Sequence, residues 1–298
     1  MNLVVTDSLK SDEVLKIFFT SLSHFRTYFH RSTKRTSVLD DCLKESKHKQ
    51  HRIASVPETR WSYGSRSVST IIDLHEVLVQ CLSYIIKNFN DESVCLAEGL
   101  LLKLCDKQFM FLCVLWKKIF LILYVLSNIC QKVEIDVLKC CSHVKSCTKS
   151  IEDLKSDDIF RDIISETETL TDCSSDLPIH LRVTRSTSNC DLHKLFDNSI
   201  DQTSSSLQER FQDMEQMKLF SLLNVNKFSA YAKEFPTELF SSVKENKLVN
   251  FVMHDKLRAE LQVLYKTDDF TNDSVNCSSF LSMLLNDFQV FSPRLKSC

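Results

Sequence analysis

Glycine scarcity is the feature that most constrains what this chain can fold into. Its 298 residues contain two glycines, Gly64 and Gly99, and four prolines, whereas glycine averages about 7% of residues in globular proteins. Phosphate-binding loops and dinucleotide fingerprints need several glycines, because the backbone must approach phosphate closely. The G-x-S-x-G nucleophile elbow is also missing. The chain is therefore expected to be all-α, and these nucleotide-binding and hydrolase classes are excluded.

Charge and cysteine content favour a folded intracellular protein. Hydrophobic residues make up 43% and charged residues 26%, with a net charge of −2, so any nucleic-acid contact must be local. The thirteen cysteines are odd in number and scattered, which is not the pattern of a disulfide framework. The N-terminus lacks the features of a secretory signal peptide. We expect reduced thiols and no cofactor.

Apolar residues recurring every three or four positions predict one irregular multi-helix domain. The predicted helices lie near residues 10–30, 67–89, 94–130, 133–163 and 193–223, with several more from 237 onward. Four regions follow from this pattern: an N-terminal helix with a basic connector (1–57), a helical region (58–164), a flexible Ser/Thr-rich loop (165–191) and a C-terminal helical region (192–298).

The most apolar stretch, residues 96–130, allows two interpretations. A transmembrane helix needs about 20 apolar residues without charge. Lys103, Asp106 and Lys107 enter this stretch early, and Lys117 and Lys118 interrupt its middle. The uninterrupted part is too short to span a bilayer. We therefore predict a central buried helix and no contact with a membrane.

Candidate metal ligands have the wrong arrangement for a metal site. Cys140, His143 and Cys147 share helical spacing, and Cys190 is close to His193, but zinc needs four tetrahedral ligands, usually in paired knuckles. We predict thiols without a metal.

Adjacent acids also fail to suggest a metal site, since neighbours on a helix point about 100° apart. They are expected to lie on solvated helix faces or at helix starts: Asp40 with Asp41, Asp157 with Asp158, and Asp268 with Asp269.

A basic stretch at residues 31–52 carries seven lysines and arginines against three acids. Such a run is usually a solvated face or a loop. The alternative is a surface that contacts phosphates, and its candidate residues are Lys34, Arg35, Lys47, Lys49 and Arg52.

The order of several short motifs resembles a known family. The segment TRWS at 59–62 resembles the Arg-Trp motif of hAT-superfamily DNA transposases. The whole chain, except for the predicted loop, resembles transposase-derived proteins related to zinc finger MYM-type protein 1. The segments that carry this resemblance are NLVVTDSLKS, FFTSLSHFRTYFHRSTKR, the apolar stretch from Gly99, LQERF, EFPTELF and LRAELQVLYKTDDF.

The resemblance implies a helical insertion domain without its catalytic core. These transposases use two aspartates and a glutamate on an RNase H-like core to hold divalent metals, and the matching motifs do not occur in this chain. A non-catalytic nuclear protein is the expectation. It would be either a residual module that binds DNA or other nuclear proteins, or a degenerate transposase fragment.

Only Arg60 and Trp61 receive a functional role from the resemblance. The indole would stack on a displaced base at a hairpin or single-stranded end, which is worth about 1–3 kcal/mol, and Arg60 would contact a phosphate. Packing of Trp61 at a helix start is the alternative for that residue. For the protein, the alternative is a helical scaffold with no nucleic-acid role, and self-association is open under both hypotheses.

Overall fold

The computed structural model describes residues 4–5, 12–46, 61–90, 92–131, 137–172, 188–212, 221–245 and 254–266. Within these ranges the chain is helical and contains no strand, which confirms the all-α prediction. The α-helices of the described residues are α1 (Glu13–His30), α2 (Thr33–Glu45), α3 (Trp61–Asp73), α4 (His75–Asn88), α5 (Ser93–Leu104), α6 (Lys107–Cys130), α7 (Val137–Glu152), α8 (Asp157–Thr171), α9 (Asn189–Phe211), α10 (Phe228–Lys233), α11 (Thr237–Glu245) and α12 (His254–Leu264).

The chain divides into two compact units, where the sequence predicted one irregular domain. The first unit comprises residues 1–125 and 147–208, and the second comprises residues 126–146 and 209–298. Each unit is therefore built from two separate stretches of chain.

Helix α1 is central to the packing of the first unit. Asp12 caps it, because its carboxylate accepts hydrogen bonds from the backbone amides of Val14 (2.8 Å) and Leu15 (3.3 Å). The buried side chains on α1, which include Leu15 and Phe18, recur at helical spacing. Through them α1 packs against α2, α3 and α5, while α4 packs against α2, α3 and α5.

An aromatic cluster joins α1, α3 and α6 around Trp116. The indole is fully buried, and its ring centroid lies 5.0 Å from that of Phe19 and 5.3 Å from that of Phe120. Gly64 of α3 lies against the same rings: a Cβ there would be 3.1 Å from Phe120 Cζ and 3.2 Å from Phe19 Cε1. The missing side chain therefore lets the α3 backbone approach the cluster closely.

The predicted helix at 67–89 is in fact two helices. Residues Gly64–Asp73 and His75–Asn88 meet at an angle of 79°, with Leu74 between them. The His75 side chain is buried, and its Nε2–H donates to the carbonyl of Leu104, 3.0 Å away. This bond satisfies a carbonyl at the C-terminus of α5 and holds the start of α4 against it.

The predicted helices at 94–130 and 133–163 are also interrupted. The first breaks at Cys105 and Asp106, where the Asp106 carboxylate accepts from the backbone amide of Phe109 (3.2 Å). The second breaks before α8, where Ser156 Oγ accepts from the amide of Ile159 (3.3 Å). In both places a short polar side chain caps a new helix, although the apolar spacing continues across the break.

Helix α6 is long and apolar enough to cross a membrane by length and composition alone. However, 67% of its most apolar 18-residue window is buried inside the protein. Lys117, in the middle of the helix, forms an ion pair with Asp73 across 3.1 Å. These features agree with the predicted central buried helix.

The second unit has a small core of its own. Tyr265 is buried, and its hydroxyl donates to the carbonyl of Leu222 across 2.9 Å. Burial raises the pKa of Tyr265, and the nearby Tyr231 adds to this effect. The buried residues of this core are Leu222, Phe228, Phe240, Leu261, Leu264 and Tyr265.

Three predicted boundaries differ from the structure. Helix α8 continues to Thr171, so residues 165–171 of the predicted loop are helical. Helix α9 begins at Asn189, before the predicted end of that loop. Residues 173–187 lie outside the described residues. The predicted helix at 193–223 corresponds to α9, which ends at Phe211. Within the predicted basic connector, residues 33–45 form α2.

Candidate nucleic-acid interface

The corner between α1 and α2 positions the first part of the basic stretch. Ser32 Oγ accepts from the backbone amide of Arg35 (3.4 Å) and so caps α2. The Thr36 hydroxyl is placed to donate to the carbonyl of Phe29 (2.8 Å) or to that of Ser32 (3.0 Å). Side-chain hydrogen bonds from Ser32 and Thr36 therefore stabilise the corner, and they fix the direction in which α2 begins.

Lys34 and Arg35, both predicted from the sequence, lie in the first turn of α2. The Lys34 ammonium is 4.0 Å from the centroid of the Phe89 ring, and the Arg35 guanidinium carbon is 4.3 Å from that of Tyr28. Contacts of this kind are worth about 0.5–1 kcal/mol at exposed sites. Two aromatic rings from other parts of the first unit thus hold these cations in place.

Arg35 has a structural role that Lys34 lacks. The Tyr28 hydroxyl donates to the carbonyl of Ser93 (3.1 Å). Burial raises the pKa of Tyr28, and its hydrogen bonds with Ser93 and Arg35 partly offset that rise. Arg35 therefore helps to connect α1, α2 and α5. Lys34 is exposed at the surface of α2, so it is the more accessible of the two cations.

The other sequence-predicted contacts cannot be placed around this corner. Trp61 is the first residue of α3, but its side chain lies outside the described residues, as do Arg60, Lys47, Lys49 and Arg52 in full. Of the seven candidates, the structure brings together only Lys34 and Arg35.

Two basic neighbours of this pair are not among the candidates predicted from the sequence. His30 ends α1 and Arg31 follows it, and both are exposed. Together with Lys34 and Arg35 they form what we call the basic corner, residues 30–35. The sequence contains a signal for this corner, since Ser32 is a typical N-cap residue flanked by basic residues.

The cysteines and histidines with the spacing of candidate metal ligands do not assemble into a metal site among the residues that the structure describes. Cys140 is buried on α7 and lies 3.5 Å from Cys130, sulfur to sulfur. His193 lies on α9, with Nδ1 3.3 Å from Asp197 Oδ2 and Nε2 3.8 Å from Asp157 Oδ1. The side chain of Cys190 lies outside the described residues.

The adjacent acids take part in ion pairs on helix surfaces. Asp41 accepts from the ammonium of Lys44 at 2.9 Å, and Asp158 pairs with Arg161. These contacts agree with the predicted solvated faces. The pair at 268 and 269 lies outside the described residues.

Comparisons with protein-family models, with curated proteins and with solved structures find no match to this chain. The resemblance to hAT transposases therefore stays a prediction made from short motifs and their order.

Proposed function

We propose that this chain is a non-catalytic, transposase-derived nuclear protein whose helical first unit binds DNA. The order of the family-like motifs supports this proposal, and so does the all-α fold expected of a helical insertion domain. Hairpin or single-stranded ends are the proposed ligands. Trp61 would stack on an unpaired base, and Arg60 and the basic corner would contact phosphates.

The observation that carries the DNA-binding part is the charge of the first turn of α2. Lys34 and Arg35 occupy this turn, and it contains no acid. A helix N-terminus carries a positive partial charge, so each cation there costs about 0.3–1 kcal/mol. A bound phosphate would reverse this penalty, because both the helix end and the side chains would then attract it. Two cations at this helix end, with no acid beside them in the turn, therefore support a phosphate-binding role.

The two cations would contribute differently to binding. Lys34 is exposed and would reach the phosphate directly, whereas the Arg35 guanidinium already contacts the ring and hydroxyl of Tyr28. We therefore expect Lys34 to determine affinity and Arg35 to determine the shape of the corner. Replacing Arg35 would affect folding as well as binding, so Lys34 is the better probe.

The test is a salt titration of binding to a fluorescent DNA hairpin with a single-stranded end, read by anisotropy. Affinity should fall as salt rises. Trp61→Ala should weaken binding by between about fivefold and 150-fold, the equivalent of about 1–3 kcal/mol of lost stacking. Lys34→Gln should reduce the slope of log affinity against log salt by about 0.7–0.9, which corresponds to one lost phosphate contact.

A matched control is available on the same helix. Lys44→Gln removes the same charge from the last turn of α2, where Lys44 pairs with Asp41, and it should leave the slope unchanged. Lys34→Gln should change stability by no more than about 0.5 kcal/mol, since the lost ring contact and the relieved helix-end repulsion oppose each other. Binding that is insensitive to salt, or equally reduced by both lysine variants, would contradict the proposal.

The non-catalytic part of the proposal rests on the missing carboxylate motifs. It has its own test, which is incubation of the purified chain with supercoiled DNA and Mg²⁺ or Mn²⁺. Nicking that requires the metal and persists through further purification would overturn it.

A helical scaffold that binds a protein partner is the second candidate, and one feature favours it. Leu121, Tyr124 and Val125 are 61%, 54% and 53% exposed and lie on one face of α6. Exposed apolar rows of this kind often mark interaction sites. If Leu121→Glu abolishes self-association seen by light scattering while Leu96→Glu, a change at a similarly exposed position on α5, does not, this face of α6 is an interaction surface. The scaffold hypothesis gains support over DNA binding only if the hairpin titration also shows no salt-dependent binding.

A further inference from the structure

Two cysteine sulfurs in the second unit lie in contact. Cys130 Sγ and Cys140 Sγ are 3.5 Å apart, although the residues are ten positions apart in the sequence. Cys130 is the last residue of α6, and Cys140 lies near the start of α7. A disulfide bond measures about 2.05 Å between sulfurs. A decrease of about 1.5 Å in their separation would therefore close the bond.

The two thiols differ in their access to an oxidant. Cys140 is buried, with 6% of its surface exposed, whereas Cys130 is partly exposed. Burial raises the pKa of the Cys140 thiol to about 12, with further contributions from Cys130 and Cys141. A dissolved oxidant should therefore react first at Cys130, because susceptibility follows exposure and thiolate character.

We infer that Cys130 and Cys140 are an oxidation site that a peroxide converts into a disulfide, linking the end of α6 to the start of α7. The Cys130 thiolate attacks hydrogen peroxide, its O–O bond breaks, and a sulfenic acid and hydroxide form. The Cys140 thiolate then attacks the sulfenic sulfur, the S–O bond breaks, and hydroxide leaves. The two hydroxides take up the two protons that the thiols released, so in total two thiols and one peroxide give one disulfide and two waters.

Two physical consequences follow. The second step needs the thiolate of Cys140, which is scarce at neutral pH, so disulfide formation should accelerate as the pH rises. The linkage should also be reversible by a dithiol, since thiol–disulfide exchange restores both cysteines. The two thiols are thus reduced in the nucleus as in the cytosol, and they respond to sustained oxidation.

The experiment treats the purified full chain with hydrogen peroxide, blocks the remaining thiols with N-ethylmaleimide and identifies cross-linked tryptic peptides by mass spectrometry. Trypsin cuts after Lys118 and Lys132, so Cys130 lies in a peptide with no other cysteine. Cys140 shares its peptide with Cys141. A Cys141→Ser variant therefore assigns the bond. The expected product joins these two peptides, lacks two hydrogens, persists in Cys141→Ser and disappears with dithiothreitol.

Two variants separate the steps, and one serves as control. Cys140→Ser should leave a sulfenic acid at Cys130 that dimedone traps. Cys130→Ser should leave Cys140 as a thiol under the same peroxide dose. Cys95→Ser, which removes an exposed cysteine on α5, should leave the cross-link unchanged. The inference is overturned if Cys130 proceeds to sulfinic acid while Cys140 stays a thiol, or if the Cys130 bond goes to another cysteine.

Discussion

Replacing each of the two glycines with alanine should have different effects on the free energy of unfolding: Gly99→Ala should stabilise the protein and Gly64→Ala should not. Gly99 is exposed in the interior of α5, and a Cβ there would meet nothing within 4 Å. Gly99→Ala should therefore raise the free energy of unfolding by about 0.5–1 kcal/mol, because alanine loses less conformational freedom in a helix. Gly64 is also helical, so Gly64→Ala brings the same gain from propensity.

At Gly64 the packing opposes that gain. The new methyl group would lie 3.1 Å from Phe120 Cζ and 3.2 Å from Phe19 Cε1, whereas carbon atoms pack best at about 3.5–4.0 Å. Phe19 is partly exposed and can move. Phe120 is buried against Trp116 and cannot easily do so. Overpacking of this kind costs about 1–3 kcal/mol, so Gly64→Ala should be neutral or destabilising by up to about 2 kcal/mol.

The buried indole provides a local probe for this comparison. Trp61 and Trp116 are the two tryptophans of the chain. In a Trp61→Phe background, the tryptophan fluorescence followed during urea unfolding therefore comes from Trp116 alone. The double variant Gly64→Ala with Phe120→Leu should lose less stability than the sum of the single changes, because the smaller side chain makes room for the methyl group. If Gly64→Ala stabilises the first unit as much as Gly99→Ala does, the reasoning about close approach is refuted.

Three further predictions concern single side chains. Burial lowers the pKa of His75. As the pH falls, the unfolded state therefore takes up the proton first. The protein keeps its full stability above about pH 6.5 and loses stability as the pH falls toward the lowered pKa. The difference in the free energy of unfolding between pH 8 and pH 5, measured with urea, should be smaller in His75→Gln than in the unmodified protein. Tyr265→Phe should cost the second unit about 1–2 kcal/mol, because the buried carbonyl of Leu222 loses its donor; unchanged hydrogen exchange in α12 would contradict this. Asp12→Ala should lower the free energy of unfolding by about 1 kcal/mol through loss of the α1 cap. Asp12→Ser should unfold thermally close to the unmodified protein, because serine also caps helices.

The helical class of the fold could be predicted because the sequence is nearly free of glycine and its apolar residues have a helical period. The breaks could not be predicted from that period, since apolar spacing continues through Cys105 and Leu74. The capping residues Asp106 and Ser156 were visible in the sequence, but they are common within helices as well. The tertiary hydrogen bond from His75 to Leu104 holds the start of α4 against α5, and the helical period carries no sign of it.

The candidate site was predicted in part. Basic residues in the stretch could be named from the sequence, but their division of roles depends on two aromatic rings, that of Tyr28 on the preceding helix and that of Phe89, which is distant along the chain. Gly64 gives the opposite lesson. Glycine is a poor helix former, yet its lack of a side chain is what allows α3 to pack on Phe120.

The connectivity of the two units has a consequence for synthesis on the ribosome. The chain passes from one unit to the other three times, after residues 125, 146 and 208. The first unit therefore lacks α8 and most of α9 until residue 208 has been made. At about 5–20 residues per second, translation from residue 126 to 208 takes roughly 4–17 s. During that interval Trp116 and its neighbours are present without the rest of their unit, which makes chaperone binding to the nascent chain an expected part of its folding.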